Sequence, residues 1–303
     1  MPFVASWSYW RHEQVRSLRL LWVRIVLLAL ILFALYSFDF LGLSLTEEAR
    51  TSPATLLLVS ALHTAVLSYP IVRSRWHGWR LAAAVFLAFY GVATLIVAVE
   101  AVYLPEALPS QVVLRLVVNG AIVALIFSPV AVLLLRRMKG EKGSQQARTQ
   151  SGMSWLQWIW RLALIAVSWV FLFVFFGALV YLPLARSLAS ADLASHAAPD
   201  LPPWVLPFQG VRALLWAAVT LPLLQAIRGR WWEAGLAVAL LFSVLMGANL
   251  LRTASMPVGL RVAHIVEVCG ENFAFGWIVA GLLHPRRSSA VRDGQILGQQ
   301  VEP

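Results

Sequence analysis

The stretch LLWVRIVLLALILFALYSFDFLGLSL, from Leu20 to Leu45, carries only one arginine and one aspartate among apolar residues. A helix rises about 1.5 Å per residue and a bilayer core is about 30 Å thick, so roughly 20 apolar residues cross it once. The stretch is therefore predicted to span a membrane. It follows an arginine-rich segment and lacks a clear small-x-small cleavage site, so we interpret it as an uncleaved first span.

The composition of the whole chain extends this interpretation. Hydrophobic residues make up 60% of the chain and charged residues 13%, against about 45–50% and about 25% in soluble domains, and the mean hydropathy is +0.76. We predict an all-α polytopic integral membrane protein with about eight transmembrane helices. Interior Pro129 and Pro222 are expected to kink or locally open their helices. The other seven predicted spans are Ala54 to Val72, Leu81 to Leu104, Val112 to Leu135, Trp155 to Leu184, Pro207 to Ile227, Ala234 to Leu251 and Val258 to Leu283.

The positive charges predict the orientation of these spans. With the N-terminus in the cytoplasm, all but six of the 24 Lys and Arg residues fall on the cytoplasmic side, a strong positive-inside bias. The membrane topology thus accounts for the net charge of +10. We therefore predict that the chain has the lipid bilayer as its partner and does not bind nucleic acid. Both termini are predicted to be cytoplasmic, and the absence of any Asn-x-Ser/Thr acceptor fits a bacterial inner membrane. The six exceptions are Arg50, Arg115, Arg186, Arg212, Arg252 and Arg261.

Short matches suggest an internal repeat. RSRW at residues 73–76 follows the second span and RGRW at residues 228–231 follows the sixth, while VVLR ending at Arg115 and VGLR ending at Arg261 open the fourth and eighth spans. Four spans per half is an even number, so tandem halves would lie parallel in the membrane. The predicted division is an N-terminal half with an interfacial N-terminal segment (1–135), a basic cytoplasmic linker (136–153), a C-terminal half (154–285) and a polar tail (286–303).

Ionisable residues deep in a span are the main functional signal, because such groups are costly in lipid. Counted from Val258, Glu267 lies about 13 Å deep and Glu271 about 19 Å deep. With Arg261 and His264 they fall on one stripe, within about 120° of one another. His63 lies about 15 Å past the start of the second span. We expect a shared site between the second and eighth spans.

Arginines near the outer ends of spans allow two interpretations. These arginines either extend toward headgroups and water, or form an anion funnel or ion pairs with Glu100 and Glu267. The four are Arg115, Arg212, Arg252 and Arg261. Arg115 and Arg261 are therefore added to the candidate binding or proton-relay residues, which are His63, Arg115, Arg261, His264, Glu267 and Glu271.

Three chemistries could use these residues, and the sequence leaves the cofactor open. His and Glu at mid-depth suit a proton relay, His264, Glu267, Glu271 and His63 could bind a metal, and His63 with His264 could ligate a haem. The leading hypothesis is a permease-like protein that binds a small solute or proton. A metal- or haem-binding protein or enzyme and a structural scaffold are the alternatives. The enzyme reading is the weaker one, because the chain has no Walker loop, dinucleotide fingerprint or G-x-S-x-G elbow.

Overall fold

The computed structural model describes residues 3–38, 40, 51–103, 110–139, 153–188, 202–252 and 256–284. Within these residues, eight helices are long and apolar enough to cross a membrane, and no strand longer than an isolated bridge is present. The predicted all-α, eight-span membrane architecture is confirmed. Most of the predicted linker and all of the predicted tail lie outside the described residues. The helices, first to eighth, are Phe3–Ser37; Pro53–Val72; Gly78–Tyr90 continuing through Gly91–Leu95 to Ile96–Tyr103; Ser110–Leu134; Trp155–Phe176 continuing through Gly177–Tyr181 to Leu182–Leu188; Val205–Ala226; Trp231–Leu250; and Val258–Leu283.

Local sequence accounts for several helix starts. Ser52 precedes Pro53, and its hydroxyl accepts a hydrogen bond from the Thr55 amide at 3.2 Å. Ser154 and Gln157 form a reciprocal capping box, with bonds of 3.3 and 3.1 Å. These side chains satisfy amides that the first helical turn leaves without partners. The first helix begins at Phe3, so the N-terminal segment that we predicted to be interfacial continues into the first span without a break.

Two of the described helices contain a π-helical turn, and neither turn lies at Pro129 or Pro222. Gly91–Leu95 interrupts the third helix and Gly177–Tyr181 the fifth, whereas Pro129 and Pro222 both lie inside continuous α-helix. The turn in the third helix has a polar partner, because the Asn249 amide donates to the Ala93 carbonyl at 2.8 Å. The local openings expected at Pro129 and Pro222 are thus found elsewhere, at turns that begin at Gly91 and Gly177, the second of which ends two residues before Pro183.

The third and seventh helices form the centre of the bundle. The seventh packs on the eighth and the second, while the third packs on the fourth and the sixth. The first and fifth helices are the least buried, and their exposed faces carry large apolar side chains suited to lipid. Below, the end of the bundle formed by residues 73–77 and 227–230 is called the basic face. The eighth helix begins at the opposite end and finishes at the basic face, where the Leu282 carbonyl accepts a bond from Arg161 at 2.8 Å.

Candidate functional site

The predicted stripe on the eighth helix becomes more deeply buried along its length. His264 Nδ1 lies 2.7 Å from Glu267 Oε2, and the two side chains are 36% and 9% exposed. Glu271, one turn further, is 4% exposed. His264 and Glu271 are seven residues apart, which corresponds to about 10 Å along the helix axis. The three groups therefore form a polar path from a partly exposed histidine into the protein.

The fifth helix covers this path with its π-helical turn. The Tyr181 ring meets the His264 ring edge-on at a centroid distance of 5.7 Å. At Gly177 the helix presents no side chain, and a Cβ atom placed there would lie 3.6 Å from Glu267 Oε1. The Glu267 carboxyl group thus lies directly under a turn that departs from α-helical geometry, a feature frequent at functional sites.

The carboxyl group of Glu271 is buried and incompletely paired. Its Oε2 atom has no hydrogen-bond partner among the described residues. The charged groups that act on it are Glu267, Arg212 and Glu100. Neighbouring Asn272 donates from Nδ2 to the Val268 carbonyl of its own helix at 2.8 Å, while its buried Oδ1 has no partner among the described residues.

Arg212, the positive charge that acts on Glu271, is engaged by other groups. It is 4% exposed and forms an ion pair with Glu100 of the third helix. Its Nη1 also donates to Gln209 Oε1 at 3.0 Å, and the same oxygen accepts a bond from Trp169 Nε1 at 3.0 Å. Its guanidinium carbon lies 4.6 Å from the ring centroid of Trp216. One of the two predicted roles for the outer arginines, pairing with Glu100, is thus found in the structure.

Four fully buried aromatic side chains lie beneath the arginine. The Trp169 and Trp216 rings meet edge-on at 4.3 Å, and Phe275 packs against both at 4.7 and 5.5 Å. Phe242 of the seventh helix stacks on Trp216 at 5.7 Å. Phe275 lies one turn beyond Glu271, so the polar path ends against a rigid apolar layer. The Trp216 indole N–H is buried without a partner among the described residues.

His63 has partners in another part of the bundle. Its Nδ1 lies 2.9 Å from the Tyr36 hydroxyl, and its ring meets Phe89 edge-on at 5.9 Å. Its Nε2 atom is buried and has no hydrogen-bond partner among the described residues. Arg252 lies above the Tyr36 ring at 4.8 Å. His63 therefore links the first, second and third helices, and the structure does not bring it to Glu267 as we expected.

The remaining candidates are placed as follows. Arg115 and Arg261 are half-buried on the fourth and eighth helices, and each has an interaction partner. Neither is among the charges that act on Glu271. No group of three His, Cys, Asp or Glu side chains in the described residues could hold a metal ion. Because His63 and His264 have different partners, the haem interpretation also gains no support.

Sequence reasoning missed three members of this network, namely Gln209, Trp169 and Trp216. Gln209 lies one turn before Arg212 on the sixth helix, and this spacing could have identified it as a partner of the arginine. Nothing in the local sequence pairs Trp169 with Gln209, because their contact depends on how the fifth and sixth helices pack. No protein-family model matches the chain, and no curated protein or solved structure matches it.

Proposed function

We propose that this chain is a permease-like membrane protein that couples solute movement to a proton bound at Glu271. The single observation that carries the proposal is the buried Oε2 atom of Glu271, which lacks a hydrogen-bond partner among the described residues. A buried carboxylate without a partner is strongly unfavourable, and a bound proton removes the charge. Ionisable groups inside membrane spans are associated with ion and proton pathways.

The charges around the site support a proton rather than a fixed counter-ion. Glu100, Glu267 and Glu271 face a single arginine in this network, and Arg212 is paired with Glu100. Glu267 is bonded to His264. Glu271 is the acid left over, so a proton or other small cation would neutralise it. A proton needs no ligand sphere, whereas metal binding would need more donor groups than the described residues bring together.

The arrangement also suggests how the proton arrives. His264 is the most exposed of the three groups. Glu267 lies between it and Glu271, and Gly177 leaves the surface beside Glu267 without a side chain. We infer that protons enter from the end opposite the basic face, in the order His264, Glu267, Glu271. By the positive-inside prediction this end faces away from the cytoplasm.

The structural scaffold remains the alternative, and it predicts a different property. A purely structural polar network should satisfy all its members. Arg212 meets this requirement at Nη1 and Nη2 but not at its buried Nε, and Glu271 Oε2 does not meet it. Trp216 Nε1 and Asn272 Oδ1, on the same two helices, are also buried without a partner among the described residues, and unpaired polar atoms of this kind call for an explanation such as a bound ion.

Infrared titration of the purified protein tests the proposal directly. A protonated carboxyl group has a carbonyl-stretching band that a carboxylate lacks, so we expect a titrating band in the wild type that is lost in Glu271→Gln. Glu233→Gln, which removes a carboxylate at the basic face, should keep the band. Glu267→Gln should keep it but slow its shift on transfer to D2O. An unchanged band in Glu271→Gln would overturn the proposal.

A further inference from the structure

The loops after the second and sixth helices pair with each other at the basic face. Ser74 and Ile227 form an isolated antiparallel bridge. The Arg75 amide donates to the Ala226 carbonyl at 2.7 Å, and the Arg228 amide donates to the Arg73 carbonyl at 2.8 Å. We call this pairing the inner bridge. It joins the RSRW and RGRW segments that suggested a repeat.

Side chains reinforce the inner bridge from both halves of the chain. Arg73 Nη2 lies 2.9 Å from Glu233 Oε2. Arg75 Nη2 donates to the Ile227 carbonyl at 3.1 Å, and Arg137 donates to the Ser74 carbonyl. The Ser74 and Ile227 side chains are both fully enclosed. The inner bridge therefore closes the basic face between the second and sixth helices.

The register of the pairing fits two equivalent halves. Arg73 and Arg228 hold the first position of RSRW and RGRW, and the bridge places them opposite each other. A two-fold axis along the membrane normal would bring equivalent residues together in this way. The helix contacts follow the same rule, because the second helix packs on the seventh and the sixth packs on the third. These contacts support the proposal of two parallel repeats.

A second contact between the halves lies further into the membrane. A Cβ atom on Gly91 would come within 2.6 Å of Val219, so the Val219 side chain of the sixth helix packs directly on the backbone of the third helix there. Gly91 is 13 residues past Gly78, or about 20 Å from the start of its helix, near mid-depth. The partly exposed His264 lies beyond this contact, towards the opposite end of the bundle.

We propose that the inner bridge is the closed gate of the permease on the basic face, and that the halves rock about the Gly91–Val219 contact to open it. This inference rests on the proposed function, since the proton on Glu271 would bias the two positions. Opening requires two backbone hydrogen bonds, the exposed Arg73–Glu233 pair and the bond from Arg75 to the Ile227 carbonyl to separate. Closure at one end and a polar path at the other are what alternating access requires.

The test uses a cysteine at the inner bridge as a reporter of opening. In a Cys269→Ala background, Ser74→Cys should react with a water-soluble maleimide. The rate should change at least about tenfold over the pH range in which the Glu271 infrared band titrates, and a tenfold change corresponds to about 1.4 kcal/mol. Each rate is divided by that of the same cysteine in unfolded protein at the same pH. Adding Glu271→Gln should make the normalised rate independent of pH.

A disulfide provides the second arm. The bonds flanking Ser74 and Ile227 make them a non-hydrogen-bonded pair, whose Cα atoms lie about 4.5 Å apart and within disulfide range. The oxidised variant Ser74→Cys/Ile227→Cys should still show the Glu271 band. Without the disulfide, amide exchange at residues 73–76 should depend on pH; the disulfide should abolish this dependence, and reduction should restore it. Slow labelling at every pH with the band intact would overturn the gate alone, whereas loss of the band would overturn the proposed function and the gate with it.

Discussion

The Arg212–Glu100 ion pair allows a quantitative test of how deeply the site is buried. Arg212 is 4% exposed and the Glu100 side chain 30% exposed. Removing one partner of a buried pair costs about 3–5 kcal/mol, because the other charge stays buried. Water reaches Glu100, so we reduce the expected cost of Glu100→Gln to about 2–3 kcal/mol.

Arg212→Gln should be comparably destabilising for a different reason. It removes the bond to Gln209, worth about 1.5–3 kcal/mol for a charged donor, and a ring contact with Trp216 worth about 1 kcal/mol. Glu100 can then be hydrated where it is exposed. In Glu100→Gln/Arg212→Gln neither charge remains. We therefore expect the double variant to lose about 2 kcal/mol less unfolding free energy than the two single variants lose in sum.

The assay is reversible unfolding in mixed detergent, followed by tryptophan fluorescence and circular dichroism. Arg73→Gln is the matched control, because its pair with Glu233 lies at the surface and its own side chain is 47% exposed; we expect a change within about 1 kcal/mol. Additivity within about 0.5 kcal/mol between the Glu100 and Arg212 substitutions would refute the reasoning. It would mean that Arg212 is hydrated in the membrane rather than held by Glu100.

Two further predictions concern the eighth helix. Gly276→Ala should cost about 1–3 kcal/mol of stability, because the new Cβ would lie 2.4 Å from Ala239 Cα. In Gly281→Ala the new Cβ meets nothing within 4 Å, so this variant should be neutral or stabilising by up to about 1 kcal/mol. Equal melting temperatures for the two variants would contradict the packing described here. Burial and the neighbouring Arg75 lower the pKa of His284 below its usual value, so the unfolded chain binds a proton that the folded chain does not, and stability falls as the pH drops below about 6.5. His284→Gln should lose less melting temperature than the wild type between about pH 7.5 and 5.5, and an identical loss would show that His284 does not contribute.

The spans were predictable because the bilayer imposes a length and a composition on each helix, and both can be read along the chain. The helix ends were less predictable. The first helix extends back to Phe3, and the fifth continues through a π-helical turn to Leu188. The turn at Gly91 had no sequence signal comparable to a proline, whereas the turn that begins at Gly177 is followed two residues after its end by Pro183, a signal that our prediction did not use. At Gly91, what matters is close contact with Val219 of another helix, and a single-helix pattern carries no information about such contacts.

The depth of a residue in the membrane and the identity of the residues it contacts are different kinds of information. The sequence placed His63 near the midplane, and the structure encloses it completely. Its neighbours, however, are Tyr36 and Phe89, since the second helix packs on the first, third and seventh helices. Rise per residue gives depth, but only the arrangement of all eight helices determines which groups of equal depth meet. The expected pairing of His63 with the eighth helix failed at that step.

The same reasoning separates the two acids on which the proposed function depends. Helical periodicity places Glu267 and Glu271 on one stripe, and at that level they are interchangeable. The structure makes them unequal, because Glu267 is bonded to His264 while Glu271 Oε2 has no partner among the described residues. A group with a fixed partner is suited to passing a proton on, and a group without one is suited to holding it. Glu267→Gln should therefore change mainly the rate at which protons reach the site, and Glu271→Gln should remove the proton itself.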